Sequence, residues 1–194
     1  MSLSRTDLFP LEQYHTERAA FRAKVLEHKS HRHVALGPNA TLYFEDALTI
    51  QYQIQEMLRV EKIFEAEAIQ EELEAYNPLI PDGDNWKATF MIEYGDEEER
   101  RVALQKLVGV EDKIWMQVAG HERIFGIADE DLERSREEKT SAVHFMRFQL
   151  DGPMVNSAKN GAGIGCGVAH HELDIDIGML SPVTTESLLG DLGG

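Results

Sequence analysis

One predicted strand carries two polar side chains on opposite faces. His144 and Arg147 lie in AVHFMRFQL, where the alternation of side chains is typical of a strand. His144 shares a face with Met146 and Phe148, and Arg147 shares the other face with Phe145. A histidine on an apolar face is either a hydrogen-bonded core residue or part of a polar pocket lined by a rigid strand. The sequence leaves both alternatives open.

A second candidate is the segment AYNPLIPDGDNWKAT, residues 75–89, which gathers turn-forming residues around one Trp-Lys pair. Its prolines fix φ, and its Asn and Asp side chains accept hydrogen bonds from nearby amides, so we expect a rigid loop. Trp86 and Lys87 either offer a stacking surface and a cation to a small anionic ligand or an acidic partner, or have structural roles. In the structural alternative, Trp86 fills the core and Lys87 pairs with a surface acid.

Metal binding is an alternative at two places. The histidines of EHKSHRHV, His28, His31 and His33, have a spacing that suits a divalent metal on a turn, but Lys29 and Arg32 repel a cation there. The more economical interpretation is an exposed polar linker.

Carboxylates of the long predicted helix, such as Glu56, together with His144 form the other candidate metal site, although no ExxH or HxxxH spacing supports it. Cys166 is the only cysteine, which excludes an internal disulfide and a multi-thiolate zinc or iron–sulfur site within one chain. We expect a small buried hydrophobe at Cys166 and no cofactor in the chain itself, with a divalent metal as the alternative.

The charge of the chain restricts its partners. The 194 residues include 35 acids and 19 bases, a formal net charge of -16. This field repels nucleic acid and anionic membranes, and it suits a basic partner or a cationic ligand. No apolar run is long enough to span a membrane, and MSLSRTDLFPLEQ lacks an apolar segment, so we expect a cytoplasmic protein.

The hydrophobic pattern predicts an α+β fold in one domain, residues 1–194. N-terminal helices and a short hairpin are expected to pack on a mixed, mostly antiparallel sheet, with a mainly helical half, 1–80, and a sheet-rich half, 86–180. The predicted elements of the first half are helices at 10–29, 46–64 and 66–76 and strands at 34–36 and 41–44.

The second half reads as two similar strand-helix-strand-strand units, or as two ordinary α+β segments that are alike by coincidence. Its predicted strands are 88–94, 114–118, 124–128, 143–150, 164–168 and 173–177, its predicted helices lie near 96–109 and 153–160, and the charged stretch 129–140 is a solvated helix or loop. Gly165 and Gly167 alternate with apolar residues, which indicates close packing of a strand rather than a phosphate loop.

Three segments resemble the signature blocks of the bacterial family DUF3501: FEDALTIQYQIQEMLRVEKIF, EELEAYNPLIPDGDNWKATFMIEY and ADEDLERSREEKTSAVHFMRFQL. The blocks fall on Gln55, Glu56, Arg59, Tyr76, Asn77, Pro78, Asn85, Trp86, Lys87, Lys139, Thr140, Ser141, His144 and Arg147. The C-terminal hairpin departs from the family, because relatives resemble GVDHPxY where this chain has GVAHHELD from Gly167. The resemblance implies no assigned reaction.

Family members tend to be encoded near rubrerythrin-like proteins and iron–sulfur proteins, so the resemblance implies a redox or oxidative-stress partner. Our leading hypothesis is therefore an accessory protein that binds such a partner through the loop and the adjoining His144 strand. One alternative is an enzyme, with or without a metal, acting on a small anionic substrate, and another is a structural homodimer. The candidate binding residues are Glu56, Arg59, Tyr76, Asn77, Asn85, Trp86, Lys87, Lys139, His144 and Arg147.

Overall fold

The structure is a computed structural model that describes residues 2–130, 134 and 138–193, and these residues form an α+β fold. The helices are α1 (Leu11–Ser30), α2 (Ala47–Glu61), α3 (Ala66–Tyr76), α4 (Glu97–Lys106), α5 (Gly152–Lys159) and α6 (Pro182–Leu189). The strands are β1 (His33–Ala35), β2 (Ala40–Phe44), β3 (Asn85–Ile92), β4 (Ile114–Val118), β5 (Ile124–Phe125), β6 (Ile127–Ala128), β7 (Val143–Gln149), β8 (Ile164–His170) and β9 (Leu173–Met179). The predicted α+β class is confirmed.

Side-chain caps and breakers set several helix ends. Asp46 begins α2 by accepting a hydrogen bond from the Thr49 amide, and Asp96 begins α4 by accepting from the amides of Glu98 and Glu99. The α3 helix ends at Tyr76 with Asn77 as its C-cap, since Pro78 cannot continue an α-helix. Six residues of the predicted charged segment 129–140, namely 131–133 and 135–137, lie outside the described residues.

The strands form two sheets, where the sequence predicted a single mixed one. One has the order β1-β2-β3-β7-β6 and the other β5-β4-β8-β9, and every ladder is antiparallel. The predicted strand 124–128 is wrong as one element, because β5 pairs with β4 while β6 pairs with β7. The chain passes between the sheets at Gly126, where a Cβ atom would collide with Met146 and Phe148.

The two predicted units occupy equivalent places in these sheets. The first unit runs β3-α4-β4-β5 and the second β7-α5-β8-β9. Their first strands are neighbours in one sheet, and their third elements, β4 and β8, are neighbours in the other. The preceding strands extend this correspondence, since β2 flanks β3 and β6 flanks β7. Corresponding strands of the two units therefore lie at symmetric positions in both sheets.

The larger hydrophobic core lies between the two sheets, and a smaller one lies among α1–α3, which we call the helical layer. Even-numbered side chains of β3 and β7, including Trp86 and Phe148, enter the larger core. The odd-numbered side chains point to the outer face of the five-stranded sheet, which the helical layer faces. The sequence did not predict α6, whose Leu188 carbonyl accepts the indole N–H of Trp86 at 3.0 Å.

The glycines before and after Cys166 have the packing role that their alternation predicted. A Cβ atom at Gly167 would collide with the Trp115 ring and the Ile175 carbonyl, and one at Gly165 would lie 3.1 Å from the Gly178 carbonyl oxygen. Cys166 points the other way, into the core, where burial raises its pKa to about 12. A thiol in this state is a packing group rather than a nucleophile.

Candidate functional site

A groove separates the helical layer from the outer face of the five-stranded sheet. It has two lobes with cavity volumes of about 640 and about 650 Å³. Both lobes are lined by Glu45, Tyr76, Leu79 and Phe145, so they adjoin at these four residues, which we call the groove centre. Concave sites between packed layers are common places for ligands. This groove is the candidate functional site.

Strand register organises the floor of the groove into three rows. Lys87 lies opposite Arg147 in the first row, Thr89 opposite Phe145 in the second, and Met91 opposite Val143 in the third. The first row lines one lobe and the third row lines the other. Rows two residues apart are about 7 Å apart, so the floor changes from charged to apolar over about 13 Å.

Glu45, at the groove centre, is held from four directions. Its backbone N–H donates to the Lys87 carbonyl at 2.8 Å, and its carbonyl accepts from Arg32 Nη2 at 3.0 Å. The hydroxyls of Thr89 and Thr49 donate to its two carboxylate oxygens at 2.8 and 2.6 Å. In the described part of the chain, no Lys, Arg or His nitrogen lies within ion-pair distance of this carboxylate. The groove centre therefore holds a fixed, half-buried carboxylate that makes no direct ion pair within the described residues.

Lys87 and Arg147, by contrast, each form an ion pair with a carboxylate. Lys87 Nζ donates to Asp82 Oδ2 and to the Pro78 carbonyl, both at 2.8 Å. Arg147 forms a bidentate ion pair with Glu130 at 2.8 Å. The hydrogen bond from Lys87 lowers the pKa of Asp82, and the hydrogen bond from Arg147 lowers the pKa of Glu130. The interpretation of Lys87 as a cation paired with a surface acid is confirmed. An anionic ligand would compete with both carboxylates for these cations.

Another acid of the helical layer also borders the groove. Glu72 lines the lobe that contains Lys87 and Arg147. Burial, and then the negative charges of Glu61 and Glu71, raise its pKa. Together with Glu45 it makes the walls of this lobe favourable to positive charge.

Two predicted residues lie away from the groove, in the contact between α1 and α2. Glu56 accepts hydrogen bonds from Arg18 at 2.7 and 2.8 Å, from the Tyr14 hydroxyl at 2.6 Å and from Arg59 at 3.0 Å. The hydrogen bonds from Arg18 are the main cause of a Glu56 pKa lowered to about 2. Glu56 therefore joins α2 to α1, Arg59 pairs with Glu56 within α2, and the proposed convergence of Glu56 with His144 on one cleft is wrong.

Four other predicted residues have structural positions or lie on the surface. Asn77 exchanges two hydrogen bonds with the backbone of Leu3, at 2.7 and 2.9 Å. Asn85 is buried and accepts from the Asp82 amide at 3.1 Å within the loop. Trp86 has no exposed surface, so the prediction that it stacks on a ligand is wrong, and it fills the core instead. Lys139 is exposed and lines neither lobe.

His144 lies on the opposite face of β7 from the groove, in a closed cluster. Its Nδ1 donates to Asp129 Oδ2 at 2.5 Å, and its Nε2 lies 2.9 Å from the Thr140 hydroxyl oxygen and 3.1 Å from the Ser141 carbonyl. The Thr140 hydroxyl donates its proton to Glu111 at 3.0 Å. Both ring nitrogens therefore have hydrogen-bond partners inside the cluster. His144 is a hydrogen-bonded core residue.

A third polar cluster ties α6 to the sheet. Arg32 is buried and donates to the Phe44 and Glu45 carbonyls, to the carbonyl and hydroxyl of Ser187, and to Asp191. These bonds use all five guanidinium N–H groups. Burial raises the pKa of Asp191 to about 6, despite the 2.5 Å contact with Arg32.

Of the predicted residues, Tyr76, Lys87 and Arg147 line the groove, and sequence reasoning missed Glu45. Nothing in the sequence around Glu45 distinguishes it from other acids, because the hydroxyls that fix it come from α2 and β3. Among the described residues, no group of three or more His, Cys, Asp or Glu side chains could hold a metal ion. No helix in the described ranges has the length and apolar content needed to cross a bilayer.

The fold and groove define an α+β protein with two antiparallel sheets and a ligand-sized cleft beneath a helical layer. Residues 2–192 match the family described as "Protein of unknown function (DUF3501)", and the chain belongs to this family. No curated protein matches the chain.

Among solved structures, the chain is similar to a novel protein of unknown function from Burkholderia pseudomallei K96243, whose crystal structure was determined at 1.90 Å resolution. The two are 48% identical, the match covers 99% of this chain and 100% of the other, and the TM-score is 0.94.

Proposed function

We propose that this protein is an accessory binding protein of a bacterial redox or oxidative-stress system and that it engages its partner through the groove. The observation that carries the proposal is the groove centre, where the rigid Glu45 carboxylate lies between two adjoining lobes and no Lys, Arg or His nitrogen of the described residues is within ion-pair distance of it. Functional sites commonly keep such a group, although it costs stability.

The groove favours a partner of defined shape and charge. Its position between the helical layer and a sheet admits a narrow projection, such as a side chain or a single extended segment. The net charge of -16 accelerates encounter with a basic surface and slows encounter with an acidic one. The partner class that we propose, a rubrerythrin-like or iron–sulfur protein, comes from the family resemblance.

A groove-filling substitution tests this proposal. Gln53 is exposed and lines the second lobe, so Gln53→Trp places a bulky ring in the groove without disturbing the core. Gln70 is also exposed and helical but lies outside both lobes, which makes Gln70→Trp the matched control. Binding of purified rubrerythrin-like and iron–sulfur proteins from the same genome would be measured by biolayer interferometry.

We expect one of these proteins to bind the wild type and Gln70→Trp equally. Its affinity for Gln53→Trp should be lower by about tenfold or more, because interface energy is concentrated at a few positions. If neither protein binds the wild type, the partner class is wrong. If Gln53→Trp binds as well as the control, the groove is not the contact surface.

A further inference from the structure

We infer that the groove centre binds the ammonium or guanidinium group of a ligand, with Glu45 as the counter-charge. This inference rests on the proposed function, because it names the chemical group that the groove receives. The two candidate sources are a Lys or Arg side chain of the partner and a free alkyl amine.

The Glu45 carboxylate is held rigidly. Glu45 follows β2 directly, and its backbone is fixed by the Lys87 carbonyl and by Arg32. The hydroxyls of Thr49 and Thr89 each donate to one carboxylate oxygen. Both threonines are buried, so they hold the carboxylate in one orientation. A charged group fixed in this way needs little reorganisation when a ligand arrives.

Glu45 has remaining hydrogen-bonding capacity. An ionised carboxylate has about four acceptor positions, and the hydroxyls of Thr49 and Thr89 use two of them. Hydroxyl donors stabilise the charge but do not neutralise it. No Lys, Arg or His nitrogen of the described residues lies within ion-pair distance of this carboxylate, so an incoming N–H cation would supply a direct ion pair and the missing donors.

The surroundings of Glu45 suit an alkyl cation. Tyr76 and Leu79 line both lobes beside it, and they provide an aromatic face for a cation and an apolar surface for an alkyl stem. Phe145 also lines both lobes, but the guanidinium of Arg134 already lies 4.7 Å from its ring centroid. Tyr76 therefore supplies the aromatic face that we assign to the ligand. An anion at this position would be repelled by Glu45, and a neutral alkyl group would desolvate it without compensation.

The test uses n-butylammonium and n-butylguanidinium as probes and 1-butanol as the uncharged analogue of similar shape. Amide shifts of the full chain would be followed by ¹H–¹⁵N NMR in wild type, Glu45→Gln and Glu93→Gln. Glu93 is the matched control, because its exposed carboxylate also accepts a hydroxyl hydrogen bond, from Tyr43 at 3.1 Å, yet it lines neither lobe.

We expect saturable shifts at Glu45, Thr49 and Thr89 with both cations and none with butanol. Glu45→Gln should weaken binding by about tenfold, whereas Glu93→Gln should leave it unchanged, because a charge-assisted hydrogen bond contributes roughly that factor. Weak, non-saturating shifts at many surface carboxylates, or equal affinity in Glu45→Gln, would overturn the inference.

Partner binding by the same variants separates this inference from the proposed function. Loss of partner binding in Glu45→Gln identifies the cation as a side chain of the partner. If the amines bind at Glu45 but Gln53→Trp leaves partner binding intact, the proposed function fails and the free amine is the source. If Gln53→Trp blocks the partner while the amines do not bind at Glu45, the inference fails and the proposed function stands.

Discussion

Two carboxylate clusters lie on opposite faces of the same sheet, and their carboxylates have different kinds of hydrogen-bond partner. On the inner face, Asp129 is paired with the buried His144 at 2.5 Å, and Thr140 extends the cluster to Glu111. On the outer face, Glu45 has only hydroxyl donors at hydrogen-bond distance from its carboxylate in the described residues. The cluster around His144, which we call the closed cluster, stabilises the fold. The cluster around Glu45, which we call the open cluster, is suited to receive a ligand.

The largest expected effect comes from breaking the closed cluster. Asp129 has a φ of 51°, a left-handed conformation that Asn also adopts, so Asp129→Asn removes the charge without adding backbone strain. We expect a loss of about 3 kcal/mol in the free energy of unfolding, because the substitution removes the charged partner of the buried His144 contact and of the Arg134 ion pair. Chemical denaturation measures this loss.

The control for this substitution is Asp112→Asn, which makes the same charge change at an exposed acid close to Glu111 in sequence. It should change the free energy of unfolding by less than about 0.5 kcal/mol. Equal stabilities of the two variants would contradict the assignment of the His144 cluster to the fold.

The second effect is a pH dependence from the Arg32–Asp191 cluster. The folded pKa of Asp191, about 6, is above its ordinary value of 3.8, so the folded state binds this proton more tightly. Protonation therefore stabilises the fold, and the contribution of Asp191 to the free energy of unfolding should rise by about 2 kcal/mol as the pH falls from 7 to 4.

Denaturation of wild type and Asp191→Asn at several pH values isolates this contribution, because the other acids are common to both. The difference between the two proteins should change steadily between pH 7 and pH 4. Glu186→Gln, which changes an exposed acid on α6, the helix that precedes Asp191, should follow the wild-type pH dependence. A pH-independent difference for Asp191→Asn would show that its pKa is not raised.

The smallest expected effect on stability comes from the open cluster. Glu45→Gln removes a half-buried charge and keeps a side-chain oxygen that can accept from a threonine hydroxyl. We expect the free energy of unfolding to change by less than about 1 kcal/mol, with an increase as the favoured direction. Thermal and chemical denaturation check this expectation. A loss as large as that of Asp129→Asn would place Glu45 among the structural residues.

The sequence predicted the position of His144 but did not identify Glu45, and the reason is physical. Alternation along β7 correctly placed His144 with the core and Arg147 on the other face, since a strand has a period of two residues. Glu45 is distinguished by two hydroxyl donors: Thr49 is four residues away in the first turn of α2, whereas Thr89 reaches Glu45 from β3 only through tertiary structure. Local patterns report the face of a strand but not the partners of a side chain.

The same limit explains the errors in the fold. The segment 124–128 has the composition of one strand, yet Gly126 lets the chain pass from one sheet to the other, a change of partner that no local pattern encodes. The two short strands Ile124–Phe125 and Ile127–Ala128 therefore belong to different sheets. The predicted helices at 10–29 and 66–76 succeeded because their apolar residues repeat at helical spacing.

One paired measurement tests the central comparison most directly: partner affinity and unfolding free energy, determined together for Glu45→Gln and Asp129→Asn at a temperature where both are folded. The account predicts that Glu45→Gln loses partner binding and keeps its stability, while Asp129→Asn loses stability and keeps partner binding. Retained binding in Glu45→Gln, together with lost binding in folded Asp129→Asn, would contradict the account and place the functional site on the inner face of the sheet.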